Sequence, residues 1–159
     1  MKILLGVIIA IGLIGSASAG VLPDSKLTPG DINSVLTKER ICAPGFRTRP
    51  FRRVTQKVHR EAFTRYGVIC KRGNGPRTCG KLYEVDHLIS LEIGGSNSIK
   101  NLWPQAYAGK CGARVKDVLE DKLHQLVCHN SITLEEAQTE IRTDWTIAFK
   151  KYFNKSCES

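Results

Sequence analysis

The segment 83–105 constrains the fold of this chain more than any other part of the sequence. It reads YEVDHLISLEIGGSNSIKNLWPQ, in which two short β-prone runs flank a loop rich in Gly, Ser and Asn. This pattern predicts a strand over 82–90, a loop over 91–100 and a short return strand over 101–104. The apolar periodicity of 113–128 then predicts a helix directly after the second strand.

Three polar residues stand at the ends of these runs. Asp86 and His87 end the first run, and Asn101 opens the second. A carboxylate binds a hard cation, an imidazole with a pKa near neutrality takes a proton from water, and an amide can hold the loop that aims the imidazole. The combination indicates a one-metal phosphodiesterase site. The alternatives are a hydrogen-bonded structural histidine for His87 and a simple turn cap for Asn101.

The same stretch resembles the HNH, or His-Me finger, nucleases, in particular their small exported members with Asp-His-Leu-Ile-x-Leu-Glu-x-Gly-Gly and Asn-Leu-Trp-Pro. The resemblance implies an α+β fold in which a ββα-metal motif is surrounded by additional helices and stapled by disulfides. It implies that His87 is the general base, that Asp86 binds Mg²⁺ or Mn²⁺, and that Asn101 braces the loop carrying the histidine. The implied activity is that of a metal-dependent endonuclease whose products carry a 5′-phosphate.

The chain departs from the family pattern at the second metal ligand. HNH proteins usually place a His or Asn early in the helix after the second strand, but neither residue occurs between Asn101 and His124. Asp117 is the best-placed carboxylate for this role and His124 is the reserve candidate. This departure is what supports the alternative of a non-catalytic nucleic-acid or polyanion binder on a degenerate HNH scaffold. Arg114 and Lys116, near the predicted helix start, are candidate phosphate contacts or ordinary exposed charges.

Positive charge is concentrated in one segment. The chain carries a net charge of +9, and residues 47–81 contain eleven basic residues and one acid, whereas the rest of the chain after residue 19 has twelve basic and fourteen acidic residues. Such a concentration points to a polyanionic partner more than a uniformly high pI would; the alternative is a solvated basic surface or attraction to anionic lipid. Residues 54–66 have helical periodicity with a basic outer face. The expected partner is nucleic acid, with DNA favoured over RNA, bound through phosphates with little sequence preference; the candidate contacts here are Arg52, Arg53, Lys57 and Arg60.

The N-terminus predicts export. Residues 1–19 combine a short basic start, an apolar run and a small-residue end, which is typical of a cleaved signal peptide, with an uncleaved anchor as the alternative. Residues 20–159 are expected to form a single domain that begins with an extended arm over 20–41. We expect a monomer that is secreted or periplasmic and is not bound to a membrane after cleavage.

Six cysteines follow the apolar start. An even number in an exported chain predicts disulfides formed in an oxidising compartment. Cys70 and Cys79 flank turn-forming residues and are the pair that the sequence favours. A zinc site is the alternative, but no CxxC spacing supports it. A disulfide-stapled effector or inhibitor, in which the Asp-His pair has no role, is a third functional hypothesis.

The last helix has the clearest signature. Thr133 and Glu136 have the spacing of a capping box, and the apolar residues that follow recur every three or four positions. Trp145 falls on this apolar face, so the pattern favours a core anchor over a base-stacking residue.

Overall fold

The computed structural model describes residues 20–69 and 76–158. Within these residues the chain is α+β, as predicted. It contains five α-helices and one antiparallel sheet of two strands, in the order α1 (Lys38–Ile41), α2 (Gln56–Arg65), α3 (Pro76–Leu82), β1 (Tyr83–His87), β2 (Leu102–Ala106), α4 (Ala113–Cys128) and α5 (Leu134–Phe153). The predicted signal peptide, residues 1–19, lies outside the described residues. None of the helices in the described part of the chain is long and apolar enough to cross a bilayer.

The two strands form the hairpin that the sequence predicted. Asp86 lies opposite Trp103 and His87 lies opposite Leu102. The first strand ends at His87, three residues earlier than predicted, because the chain turns there into a loop with two short 3₁₀ turns. A Cβ atom on Gly95 would lie 1.7 Å from the Ile89 carbonyl oxygen, so only glycine lets the loop fold back this closely onto the end of β1.

The helices follow local sequence signals. Thr55 caps α2 by accepting a hydrogen bond from the Val58 N–H, and α4 has the predicted bounds. The capping box of Thr133 and Glu136 is present at the start of α5. This last helix bends at Asp144, whose extended backbone interrupts it and whose carboxylate accepts from the Thr146 N–H at 2.8 Å. The sequence did not predict α3.

The main core lies between α4, α5 and the N-terminal arm. Its centre is fully buried and includes Leu119, Leu123, Ile141 and Trp145. The Trp145 indole N–H donates to the Val21 carbonyl at 2.8 Å, so the tryptophan anchors the arm as well as the core. Further along, the arm bonds through its backbone to the hairpin loop and is therefore part of the packed structure.

Two disulfides tie distant segments together. Cys42, at the end of α1, bonds to Cys128 at the end of α4, and Cys111, just before α4, bonds to Cys157 near the C-terminus. These bonds indicate an oxidising environment. Cys79 is also disulfide-bonded. The predicted Cys70–Cys79 pairing lies outside the described residues, because Cys70 is not among them.

Candidate active site

His87 lies at the end of β1 with only 5% of its surface exposed. Its Nε2 atom is 2.9 Å from the side-chain oxygen of Asn97 in the hairpin loop. Burial lowers the pKa of His87 below its usual range, because the charged form loses hydration; the Asn97 hydrogen bond and the Asp86 charge oppose this effect without reversing it. The imidazole is therefore neutral at pH 7.

Asn97 fixes which ring nitrogen of His87 carries the proton. The Asn97 side-chain nitrogen donates to the Phe51 carbonyl at 2.6 Å, which leaves its oxygen as the acceptor facing His87. Nε2 therefore donates, and Nδ1 keeps its lone pair. A neutral imidazole with one nitrogen held and the other unprotonated is the state that a general base requires. The group that holds the second ring nitrogen is thus a side chain of the hairpin loop.

Asn101 is fully buried and connects both sides of the hairpin loop. Its side-chain oxygen accepts from the Ile89 N–H at 2.9 Å, and its side-chain nitrogen donates to the Ile89 and Ser96 carbonyls, both at 2.9 Å. Its own carbonyl accepts from the Leu88 N–H at 2.8 Å. The segment that leaves His87 is thus held by both the side chain and the backbone of one residue.

Asp86 points away from His87. The two residues are consecutive in a paired strand, so their side chains leave on opposite faces of the sheet. The Asp86 carboxylate accepts from the Lys116 ammonium at 2.8 Å, and this ammonium also donates to the His87 carbonyl at 2.7 Å and to the Glu120 carboxylate. The bend that would bring Asp86 and His87 onto one phosphate is not seen.

Lys116 has no exposed surface, which corrects the expectation that it contacts phosphate. Burial alone would lower its pKa, but the attraction of Asp86 and Glu120 is larger, so its pKa is raised and the side chain stays an ammonium. Burial, reinforced by the Asp86 charge, raises the pKa of Glu120 to about 7 despite the bond to Lys116. Lys116 and Glu120 are four residues apart on α4, so both reach the same face.

The predicted metal ligands do not converge on one ion. Asp117 is partly exposed and accepts from Arg114 at 3.0 Å, while Asp86 is committed to Lys116 on the inner side of the same helix. Among the described residues, the only group of three His, Cys, Asp or Glu ligand atoms within 4.8 Å of one another consists of Cys42, His124 and Cys128. Asp86 and Asp117, the residues expected to hold Mg²⁺ or Mn²⁺, are therefore not arranged to bind the same ion.

The Cys42, His124 and Cys128 group could hold a metal only after reduction. Its two sulfurs are bonded to each other, and a metal-binding cysteine must be a free thiolate. His124, the reserve ligand of the sequence analysis, has Nε2 3.0 Å from the Ile41 carbonyl. His124 therefore lies beside the Cys42–Cys128 disulfide and not beside Asp86.

The predicted nucleic-acid contacts other than Lys116 are exposed. Arg52, Arg53, Lys57 and Arg60 lie along α2 and the segment before it, and Arg114 is the second residue of α4. An Arg52 guanidinium nitrogen lies 3.9 Å from the Glu84 carboxylate on β1, which brings the basic segment against the hairpin. Arg52 also acts electrostatically on His87 and helps to lower its pKa.

Sequence reasoning missed Asn97 and the inward orientation of Lys116. Asn97 lies in a run of Ser and Asn that only signalled a turn, so nothing separated it from its neighbours. Lys116 did have a signal: its spacing of three from Leu119 and seven from Leu123 places it on the apolar face of α4. A lysine on that face needs buried acceptors, and Glu120 at the i+4 position is one.

Comparison with known proteins gave no match to a protein-family model, to a curated protein or to a solved structure.

Proposed function

We propose that the chain is an exported phosphodiester hydrolase that cuts nucleic acid internally, with DNA as the first substrate to test. The observation that carries the proposal is the state of His87, which is neutral, held at Nε2 by Asn97 and unprotonated at Nδ1. The resemblance of the segment 83–105 to HNH nucleases supports the same assignment, and so does the order of two strands followed by a helix.

The chemistry assigned to the chain is proton transfer. His87 takes a proton from water at Nδ1, the water oxygen bonds to phosphorus, and the bond between phosphorus and the 3′ oxygen breaks. The 3′ oxygen takes up a proton from solvent, so the upstream fragment ends in a 3′-hydroxyl and the downstream fragment carries the 5′-phosphate. Asn97 holds the ring in its tautomer, and Asn101 holds the backbone that follows it. No step is assigned to a metal ion, because Asp86 and Asp117 do not form a common site.

The basic segment provides the surface for the substrate. Arg52, Arg53, Lys57 and Arg60 are exposed, and Arg52 lies beside the strand that carries His87. Phosphate contacts of this kind give affinity without base selection, and they weaken at high salt because the counterions released on binding then gain less free energy. We therefore expect cleavage with little sequence preference and strong inhibition by salt.

The proposal is tested with supercoiled plasmid and with single-stranded RNA, each incubated with the purified chain beginning at Gly20. The wild type should nick plasmid, and His87→Ala should reduce the rate by roughly 10²–10⁴-fold. His129→Ala is the matched control, because His129 is an exposed histidine at the end of α4 and should have no effect. Equal rates for wild type and His87→Ala would refute the proposal.

A second candidate is a nucleic-acid binder without catalysis, and the Lys116–Asp86 ion pair favours it. The ion pair occupies a carboxylate that the resemblance assigns to a metal. This candidate predicts that plasmid stays intact with magnesium, manganese or chelator, while gel-shift affinity for the same plasmid remains and is lowered by charge-removing substitutions at Lys57 and Arg60.

We propose that the chain is exported. The disulfides require an oxidising compartment, and residues 1–19 have the pattern of a cleaved leader. Expression of the full chain in a secreting host, followed by intact-mass analysis, should give a product that starts at Gly20. A product that retains residues 1–19 would contradict cleavage.

A further inference from the structure

The three acceptors around the Lys116 ammonium are the feature that the proposed chemistry leaves unexplained. A side chain on α4 passes fully buried to the end of β1 and bonds to the Asp86 carboxylate, the Glu120 carboxylate and the His87 carbonyl. An ammonium has three donors, so all of them are used. The bonds to Asp86 and the His87 carbonyl measure 2.8 and 2.7 Å, as expected for charge-assisted hydrogen bonds.

The oxygens that Lys116 collects are those that a hard cation would need. Two carboxylates and one backbone carbonyl, brought together from a strand and a helix, form an oxygen donor set of the kind that binds Mg²⁺ or Mn²⁺. A divalent ion on Asp86 would lie about 2.0–2.6 Å from its oxygens and thus within a few ångströms of the ammonium. Two positive charges so close together in a buried site repel strongly.

Asp117 provides no way around this conflict. It is bonded to Arg114 at the surface, so each of the two predicted metal ligands already has its own basic side chain. Glu120, the other carboxylate that α4 turns towards the strand, is bonded to Lys116 as well. Among the described side chains, every acid near Asp86 that could share a metal ion with it is therefore already paired with a basic side chain.

We propose that the Lys116 ammonium takes the place of a metal ion at Asp86, so that this carboxylate does not bind a divalent cation and the permanent positive charge beside His87 is covalently part of the chain. Any role of this ion pair in catalysis rests on the proposed function. The claim that Lys116 excludes a metal ion from Asp86 does not, because metal binding can be measured without turnover. The two proposals can therefore fail separately.

The first test uses the unaltered protein. Amide ¹H–¹⁵N resonances of residues 85–88 are followed while Mg²⁺ is added to the chain beginning at Gly20. The proposal predicts no saturable shift at these positions, whatever happens at exposed carboxylates elsewhere. A saturable shift centred on Asp86 would overturn it.

The second test removes the ammonium. Lys116→Ala leaves the Asp86 and Glu120 carboxylates facing each other, and the variant should gain one Mn²⁺ site, detected by electron paramagnetic resonance of free Mn²⁺ during titration. The added Asp86→Asn substitution should abolish the gained site. The control is Lys122→Ala, which lies on the same helix, forms no ion pair with any described residue and should gain no Mn²⁺ site.

Each outcome of the two tests either supports or contradicts the proposal. A folded Lys116→Ala variant that binds no additional Mn²⁺ would contradict the claim that lysine fills a cation position. If Lys116→Ala does not fold, the Mg²⁺ titration of the wild type decides alone, because it needs no substitution.

Discussion

Asn101→Ala should lower the free energy of unfolding by an amount that follows from the hydrogen bonds of the side chain. The side chain is fully buried and makes three bonds of 2.9 Å, to Ile89 N, Ile89 O and Ser96 O. Each such bond contributes about 0.5–1.5 kcal/mol, and leaving the buried Ile89 groups without partners adds about 1–3 kcal/mol. These contributions span about 2.5–7.5 kcal/mol. Because single substitutions rarely cost more than about 5 kcal/mol, the expected loss in free energy of unfolding is about 3–5 kcal/mol.

The assay is equilibrium unfolding in urea without a thiol reductant, so that the disulfides stay intact. Fluorescence reports the transition, because the two tryptophans, Trp103 and Trp145, are both fully buried. Asn101→Asp keeps the size but turns a carboxylate oxygen towards the Ile89 and Ser96 carbonyls, so it should cost at least as much. Asn33→Ala removes one solvent-exposed bond to the Val35 N–H and should cost less than about 1 kcal/mol.

A loss below about 1 kcal/mol for Asn101→Ala would refute the reasoning, because three buried bonds of good geometry cannot be removed at so small a cost. The same result would remove the argument that Asn101 fixes the backbone after His87, since a weakly coupled side chain cannot brace the loop.

Three further predictions follow from the charges of the site. Because burial lowers the pKa of His87, the rate of plasmid cleavage should fall with decreasing pH with a midpoint below 6.5; a midpoint above 6.5 would contradict the assignment. The raised pKa of Glu120, about 7, means that folding loses stability as pH rises from about 4.5 to 7, by at most about 3 kcal/mol. Glu120→Gln should remove this loss. In urea unfolding, the stability of the variant relative to wild type should therefore be higher at pH 8 than at pH 4.5. A stability difference that does not change with pH would contradict the raised pKa of Glu120. Lys57→Gln with Arg60→Gln should weaken DNA binding and reduce the slope of log affinity against log salt by roughly two, as measured by fluorescence anisotropy, and an unchanged slope would remove these residues from the interface.

Local features were predictable where the sequence carried a local signal. The bounds of α4 and the capping box of α5 match the structure because apolar periodicity and Thr133–Glu136 spacing act within a few residues. The hairpin was predictable for the same reason, from two short apolar runs and a pair of glycines. Trp145 was placed in the core by its position on the apolar face.

Features that depend on distant residues were not predictable. Cys42 bonds across 86 residues and Cys111 across 46, and spacing alone cannot select these partners. Asp86 was predicted to be a metal ligand because a carboxylate suits a hard cation and because the segment 83–105 resembles HNH nucleases. Its actual partner, Lys116, is thirty residues away and reaches it only because α4 packs beside the hairpin.

The most direct test of the central claim, that His87 acts as the general base, is rescue of His87→Gly by free imidazole in single-turnover plasmid cleavage. The account predicts a rate roughly 10²–10⁴-fold below wild type without imidazole and a partial recovery that rises with the concentration of neutral imidazole. A His87→Gly variant that cleaves at the wild-type rate without added imidazole would contradict the account.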